Sequence, residues 1–172
     1  MEAINEQSLQ YEYRVATIDD LNAIWEKNIT DNTGDNRWIR WKTEAIKDNR
    51  IGICKTFVIV YNGKPIGEGT LLLSPECSAV NGRTEIADGI NIVNINALRN
   101  DKAHEGKGHI SKLVAMMEKY ALAAGYTTIT IGVEAKETRN LAIYLHWGYD
   151  IFVESELEEG SLVLYYSKVL KK

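Results

Sequence analysis

Residues 98–113 read LRNDKAHEGKGHISKL, from Leu98 to Leu113, and the rest of the chain is organised around them. A β-branched run leads in. Gly106 and Gly108 stand in the loop His104–Gly108, and an amphipathic pattern leads out from His109 to Ala124. Along that pattern Ile110, Leu113, Val114, Met117, Ala121 and Ala124 recur at helical spacing, and Gly125 supplies a stop. Glycine lets a backbone approach a ligand closely. The unpaired N–H groups of a helix's first turn, at the positive end of its dipole, form an anion site. Pyrophosphate binding suits this arrangement best, although a turn that needs glycine only for its backbone angles would leave the same residues. Two other phosphate motifs do not fit. No G-x-x-x-x-G-K-[ST] run is present, and a G-x-G-x-x-G fingerprint would need glycine where Ser111 stands.

The second informative segment is Gly132–Tyr149, GVEAKETRNLAIYLHWGY: a strand end, a helix over Thr138–Trp147, then Gly148 and an aromatic residue. Tyr144 lies four residues before Gly148, so its ring can project from the helix toward the end of the preceding strand, Thr127–Val133.

Working outward, Tyr11, Tyr13 and Val15 alternate with Glu12 and Arg14 and predict a strand over Tyr11–Ala16. Thr17 and Asp20 form a capping pair for a helix carrying Leu21, Ile24, Trp25 and Ile29. The polar cluster of Asp31–Asn36 ends that helix, and a second is expected over Trp38–Asp48. Strands over Thr56–Tyr61 and Gly67–Leu73 flank Asn62-Gly63, a type I′ hairpin signal. After a loop over Ser74–Arg83 comes a long strand, Ala87–Leu98. Two final strands, Tyr149–Val153 and Ser161–Val169, are joined through a Glu-Glu-Gly turn. The order is strand, two helices, a three-strand meander, helix, strand, helix and two strands. That predicts one α/β domain over residues 11–172 behind a loose, flexible leader of residues 1–10.

The 172 residues are 45% hydrophobic and 26% charged, values of a soluble globular chain. No apolar run is long enough to span a membrane, and the first residues carry no basic-then-apolar secretory pattern. The two cysteines, Cys54 and Cys77, lie in no C-x-x-C or ligand cluster and read as reduced thiols of a cytoplasmic protein. His104-Glu105 lacks the second histidine of a zincin motif, so no metal is expected. A formal net charge of −4 without a basic face argues against nucleic acid as a partner and is compatible with a cationic or amine substrate.

With both segments in this order and spacing, the chain resembles the GNAT superfamily of acyl-CoA-dependent N-acetyltransferases over Tyr11–Leu170. The resemblance implies an α/β (α+β) fold with a mixed sheet of about seven strands and about four helices on its two faces. The family's phosphate loop, Q/R-x-x-G-x-G/A, falls on Glu105, Gly106, Lys107, Gly108, His109 and Ile110. Gly108 matches, while Glu105 and Ile110 depart from the usual Gln/Arg and Gly/Ala. The later pattern maps onto Val133, Glu137, Tyr144 and Gly148-Tyr149, with Glu137 in place of Asn.

The resemblance implies acetyl-CoA as co-substrate, held by Leu98, Arg99, Asn100, the loop residues 105–108, His109, Ile110, Ser111, Glu137, Asn140 and Tyr144. It also implies direct attack by an amine in a ternary complex. Tyr144 would protonate the departing thiolate, and a backbone N–H near Leu98–Asn100 would meet the oxyanion. For the base the candidates are Glu134 first, then Glu68 and Asp88, with Asn94 and Asn96 able to hold a water. Family acceptor pockets draw on the first two helices, which points to Asp31, Asp35, Trp38 and Trp41, with Asn96 also on the substrate side. Trp38, Trp41 and Ala45 at helical spacing would equally pack on the sheet. The acceptor class is a small-molecule or peptide amine, and a homodimer is one expected state. The competing reading is a GNAT-fold acyl-CoA sensor with little turnover, favoured by Glu105 and Ile110.

Overall fold

The computed structural model describes residues 11–172; the leader read over residues 1–10 lies outside them. β1 (Tyr11–Val15) pairs antiparallel with β2 (Cys54–Tyr61), and the chain between them forms α1 (Ile18–Asp31) and α2 (Arg37–Ile51). α1 begins with the expected reciprocal cap. Asp20 N–H donates to Thr17 Oγ1 at 3.1 Å, and Thr17 N–H donates to the Asp20 carboxylate at 2.8 Å. β2 turns into β3 (Lys64–Leu72) through Asn62 and Gly63, both at positive φ (49° and 78°), as a type I′ turn requires. Then follow β4 (Ile92–Asn100), α3 (His109–Ala123), β5 (Thr128–Glu134), α4 (Thr138–His146), β6 (Ile151–Glu158) and β7 (Ser161–Val169). Gly125 and Gly148, at φ 97° and 95°, stop α3 and α4 as read from the sequence.

The seven strands form one mixed sheet in the order β1-β2-β3-β4-β5-β7-β6, parallel only between β4 and β5. Alternation along the strands separates its two faces. Phe57, Ile59, Val93, Ile95, Ile129 and Ile131 pack with Leu113, Val114 and Met117 of α3. Val58 and Val60 point the other way, onto Ile24 of α1.

Two features of this sheet position the site. β4 and β5 pair only from Ile92–Thr128 to Ile95–Ile131. Beyond that point β4 stays with β3 as far as Asn100, and β5 stays with β7 as far as Glu134, so the sheet splits into two halves. At the split β4 carries a bulge. Thr70 pairs with Asn96 but Glu68 pairs with Arg99, so β4 has one residue more than β3 here, and Ala97 takes φ 57°. The extra residue shifts the alternation, turning Leu98 onto the α3 face and Arg99 onto the α1–α2 face. Glycines in β3 make room. A Cβ on Gly69 would lie 2.8 Å from Leu98 Cδ2, and one on Gly67 would lie 2.9 Å from the Arg99 carbonyl.

Several boundaries differ from the sequence reading: α2 runs to Ile51 rather than Asp48, β2 starts at Cys54 rather than Thr56, and β3 starts at Lys64 rather than Gly67. β4 starts at Ile92 rather than Ala87, because Asp88 Oδ1 accepts from the N–H groups of Ile90, Asn91 and Ile92 at 2.8 Å each. That local turn holds the chain out of the sheet. β6 runs from Ile151 to Glu158 rather than over 149–153, since its whole length finds a partner in β7. On α3, Ala124 is exposed, and His109 takes the buried place at the other end.

Candidate active site

β4 leads through a short 3₁₀ turn, Lys102–His104, into the glycine loop. Asn100 braces that turn, its Nδ2 donating to the His104 carbonyl at 3.2 Å. Gly106 and Gly108 lie at φ 76° and 78°, a left-handed conformation that other residues adopt at a cost of about 1–2 kcal/mol. Nothing stands within 4 Å of where a Cβ on either would be, so the space over both is open. Gly108 is the N-cap of α3 and supplies no side-chain cap. Among the described residues no backbone carbonyl accepts from the N–H groups of Gly106 to Ser111. The first intrahelical bond is Lys112 N–H to Gly108 O at 3.1 Å. Six successive donors at the positive end of a helix dipole fit a pyrophosphate. Glu105, Lys107 and Ser111 are exposed, and Ile110 is half-buried, so the two departures from the family pattern leave the backbone cradle open.

The two histidines beside the glycines turn toward β1. His104 Nδ1 hydrogen-bonds Tyr11 Oη at 2.9 Å, and His109 Nδ1 bonds Tyr13 Oη at 2.6 Å. The Tyr11 ring lies 4.1 Å from His109 between centroids. Both ends of the loop are thereby tied to the edge strand, a role the sequence reading did not assign to β1. His109 is 4% exposed, and its Nε2 has no partner. Burial lowers its pKa, helped by the positive charges of Lys112, His104 and Lys107. In the unfolded chain the ring takes a proton near its ordinary value of about 6.5. Below that pH the unfolded state binds more protons than the folded one. The stability that goes with the neutral ring is therefore complete above about pH 6.5 and is lost as pH falls toward the lower folded pKa. Between pH 6.5 and 5 the thermal midpoint of the wild type is expected to drop more steeply than that of His109→Leu. Parallel curves would show that the ring does not stay neutral.

Residues past the bulge on the α1–α2 face form a second cluster. Arg99 is ion-paired with Glu68, itself 2% exposed, and its guanidinium lies 5.3 and 5.0 Å from the ring centroids of Trp25 and Trp38. Trp38 meets Trp41 edge-on at 5.1 Å, so the tryptophans pack on this face as well as line it. Asn96 is exposed beside them, whereas Asn94 is buried and donates to Thr130 Oγ1 at 2.9 Å. Asp31 and Asp35 are neutralised by Lys27 at 3.1 Å and Arg37 at 2.8 Å. Asp88 caps its turn at the far end of β4, away from the split, which removes it from the base candidates. Glu68 is tied up by Arg99, while Glu134 stands at the end of β5 with Lys136 Nζ at 3.1 Å. The sequence reading placed Arg99 among the cofactor contacts; the bulge sends its side chain to the opposite face from α3.

On the α3 side, Tyr144 of α4 is partly buried against the core, with no hydrogen-bond partner for its hydroxyl among the described residues. Burial raises its pKa, and the nearby Glu137 carboxylate adds to the rise. Glu137 and Asn140 pair with each other at the start of α4, at 3.0 Å. Cys54 and Cys77 are free and buried. Among the described residues no three His, Cys, Asp or Glu side chains gather as metal ligands, and no helix is long and apolar enough to cross a membrane.

A mixed sheet split between two parallel strands, with a bulge on one and a glycine loop at the next helix, is the arrangement found here in a member of an acyltransferase class. The chain belongs to the acetyltransferase (GNAT) family, whose model matches residues 15–149. Its fold is similar to that of an N-acetyltransferase from Staphylococcus aureus Mu50 (19% identity, TM-score 0.64, 94% of this chain and 99% of that one). A GNAT-family acetyltransferase from Streptococcus pneumoniae is similar at 14% identity and TM-score 0.66, over 94% and 100% of the two chains. Salmonella typhimurium YncA, solved with its cofactor acetyl-CoA, is similar at 19% identity and TM-score 0.64, over 95% of each chain. No curated protein sequence matches the chain.

Proposed function

We propose that residues 11–172 form one catalytic domain that transfers an acetyl group from acetyl-CoA to a primary amine of a small molecule or peptide. The observation that carries this is the uncapped start of α3, where six successive N–H groups have no backbone acceptor and the space over two left-handed glycines is open. Residues 106–111 would hold the pyrophosphate, and the split between β4 and β5 would receive the arm that follows it. Acetyl-CoA, when bound, supplies an activated acetyl thioester. The rest falls to the chain itself. The bulge at Ala97 and Leu98 frees backbone on the β5 side, where an N–H can meet developing negative charge. Tyr144, kept protonated by its burial, holds a proton for the thiolate. Glu134, at the mouth of the split, is the base that position favours. Calorimetric titration with acetyl-CoA, followed by a screen of amines for CoA release, tests the reading. Micromolar binding with CoA release supports it. Binding without release from any amine would favour an acyl-CoA sensor, and absence of binding would overturn both.

A further inference from the structure

The cluster beneath α1 and α2 lies on the opposite face of the sheet from α3 and its glycine loop. Its centre is Arg99. A carboxylate as buried as that of Glu68 needs a compensating cation, and Arg99 is that partner. Trp25 and Trp38 flank the guanidinium at 5.3 and 5.0 Å, which holds it by cation–π attraction. A guanidinium has five N–H donors. Glu68 is the one hydrogen-bonding acceptor that Arg99 has among the described residues, and the side chain remains 31% exposed. It stands two residues past the bulge, beside exposed Asn96, where an acceptor entering the split from the α1–α2 side would pass. Of the other cations on α1 and α2, Lys27 pairs with Asp31 and Asp101, Arg37 with Asp35 and Glu159, Arg40 with Glu159 and Lys42 with Glu26, while Lys47 and Arg50 lie exposed toward the far end of α2 from Trp38.

We infer that Arg99, oriented by Glu68 and the two indoles, is an acceptor-specificity residue that binds the carboxylate of a small amine of the amino-acid class. This rests on the acetyl-transfer reading above. The guanidinium fork matches a planar carboxylate in bidentate geometry. One cation, already partly compensated by Glu68, suits a monoanion better than a phosphate dianion. The reactive amine of such an acceptor would then lie toward Ala97 and Leu98, where the strands part.

The test compares amino acids with their decarboxylated counterparts, such as leucine with 3-methylbutylamine and phenylalanine with 2-phenylethylamine. For the wild type, kcat/KM is expected to favour the acid by about 100-fold or more, as polar recognition of a substrate group allows. Arg99→Met alone strands a buried carboxylate, so the informative variant is the double Glu68→Gln/Arg99→Met. It should bring the preference to within about threefold through KM for the acid, with acetyl-CoA affinity unchanged. Arg99→Lys, which keeps the charge but not the fork, should lose most of the preference too. Equal or better use of the decarboxylated amines by the wild type overturns the assignment, as does an equal loss for both substrates in the double variant. If acetyl-CoA binds but no amine is acetylated, acetyl transfer itself fails, and indole fluorescence then judges Arg99. A response to amino acids but not to amines, lost in the double variant, supports the subsite, and its absence rejects it.

Discussion

Replacing Gly108 with Glu is expected to weaken acetyl-CoA binding by at least ~100-fold, about 2.7 kcal/mol, as read by calorimetric titration. Two causes act together. Gly108 sits at φ 78°, where a side chain strains the turn that starts α3. The new carboxylate would also enter the open space over the cradle, placing negative charge where the helix terminus favours an incoming anion. Gly108→Ala carries the strain without the length or the charge and should retain binding within about tenfold. Wild-type affinity in Gly108→Glu would place the cofactor elsewhere and remove the main support for the proposed function.

The second large effect belongs to Tyr144→Phe, for which kcat should fall by about 100-fold while acetyl-CoA affinity changes less than twofold. The substitution removes one oxygen and leaves the ring packed against Trp147, 5.7 Å away between centroids. Burial, reinforced by Glu137, raises the phenol's pKa, so the hydroxyl stays protonated across the neutral range. The loss should therefore be the same at pH 6.5 and pH 8.5. A kcat unchanged from wild type takes Tyr144 out of the reaction; a loss confined to acetyl-CoA affinity makes it a binding residue.

Much of the scaffold was legible because its signals act within a few residues. The Thr17–Asp20 cap, the Asn62-Gly63 turn and the stops at Gly125 and Gly148 each depend on backbone angles and hydrogen bonds between near neighbours in the chain. The glycine loop belongs to the same class, since Gly106 and Gly108 need their left-handed angles whatever lies around them. Asp88 also acts locally, and Asp88-Gly89 is a turn signal in its own right that the reading of a strand from Ala87 passed over.

What the sequence alone determined, then, is the order of elements, the hairpin, the helix stops at Gly125 and Gly148 and the left-handed glycines of the loop, all set by local propensity and the alternation of apolar residues. The tertiary structure decided the rest. The bulge at Ala97 has neither glycine nor proline to announce it, and it exists because β4 must match β3 on one side while leaving β5 on the other. Only that pairing turns Arg99 away from α3 and onto Glu68, Trp25 and Trp38, residues distant in sequence. Likewise His109 is polar at the head of an amphipathic helix and is buried only because Tyr11 and Tyr13 of the edge strand close over it. Contacts of that range depend on which strand lies beside which, and the periodicity of a single segment carries no record of its neighbours.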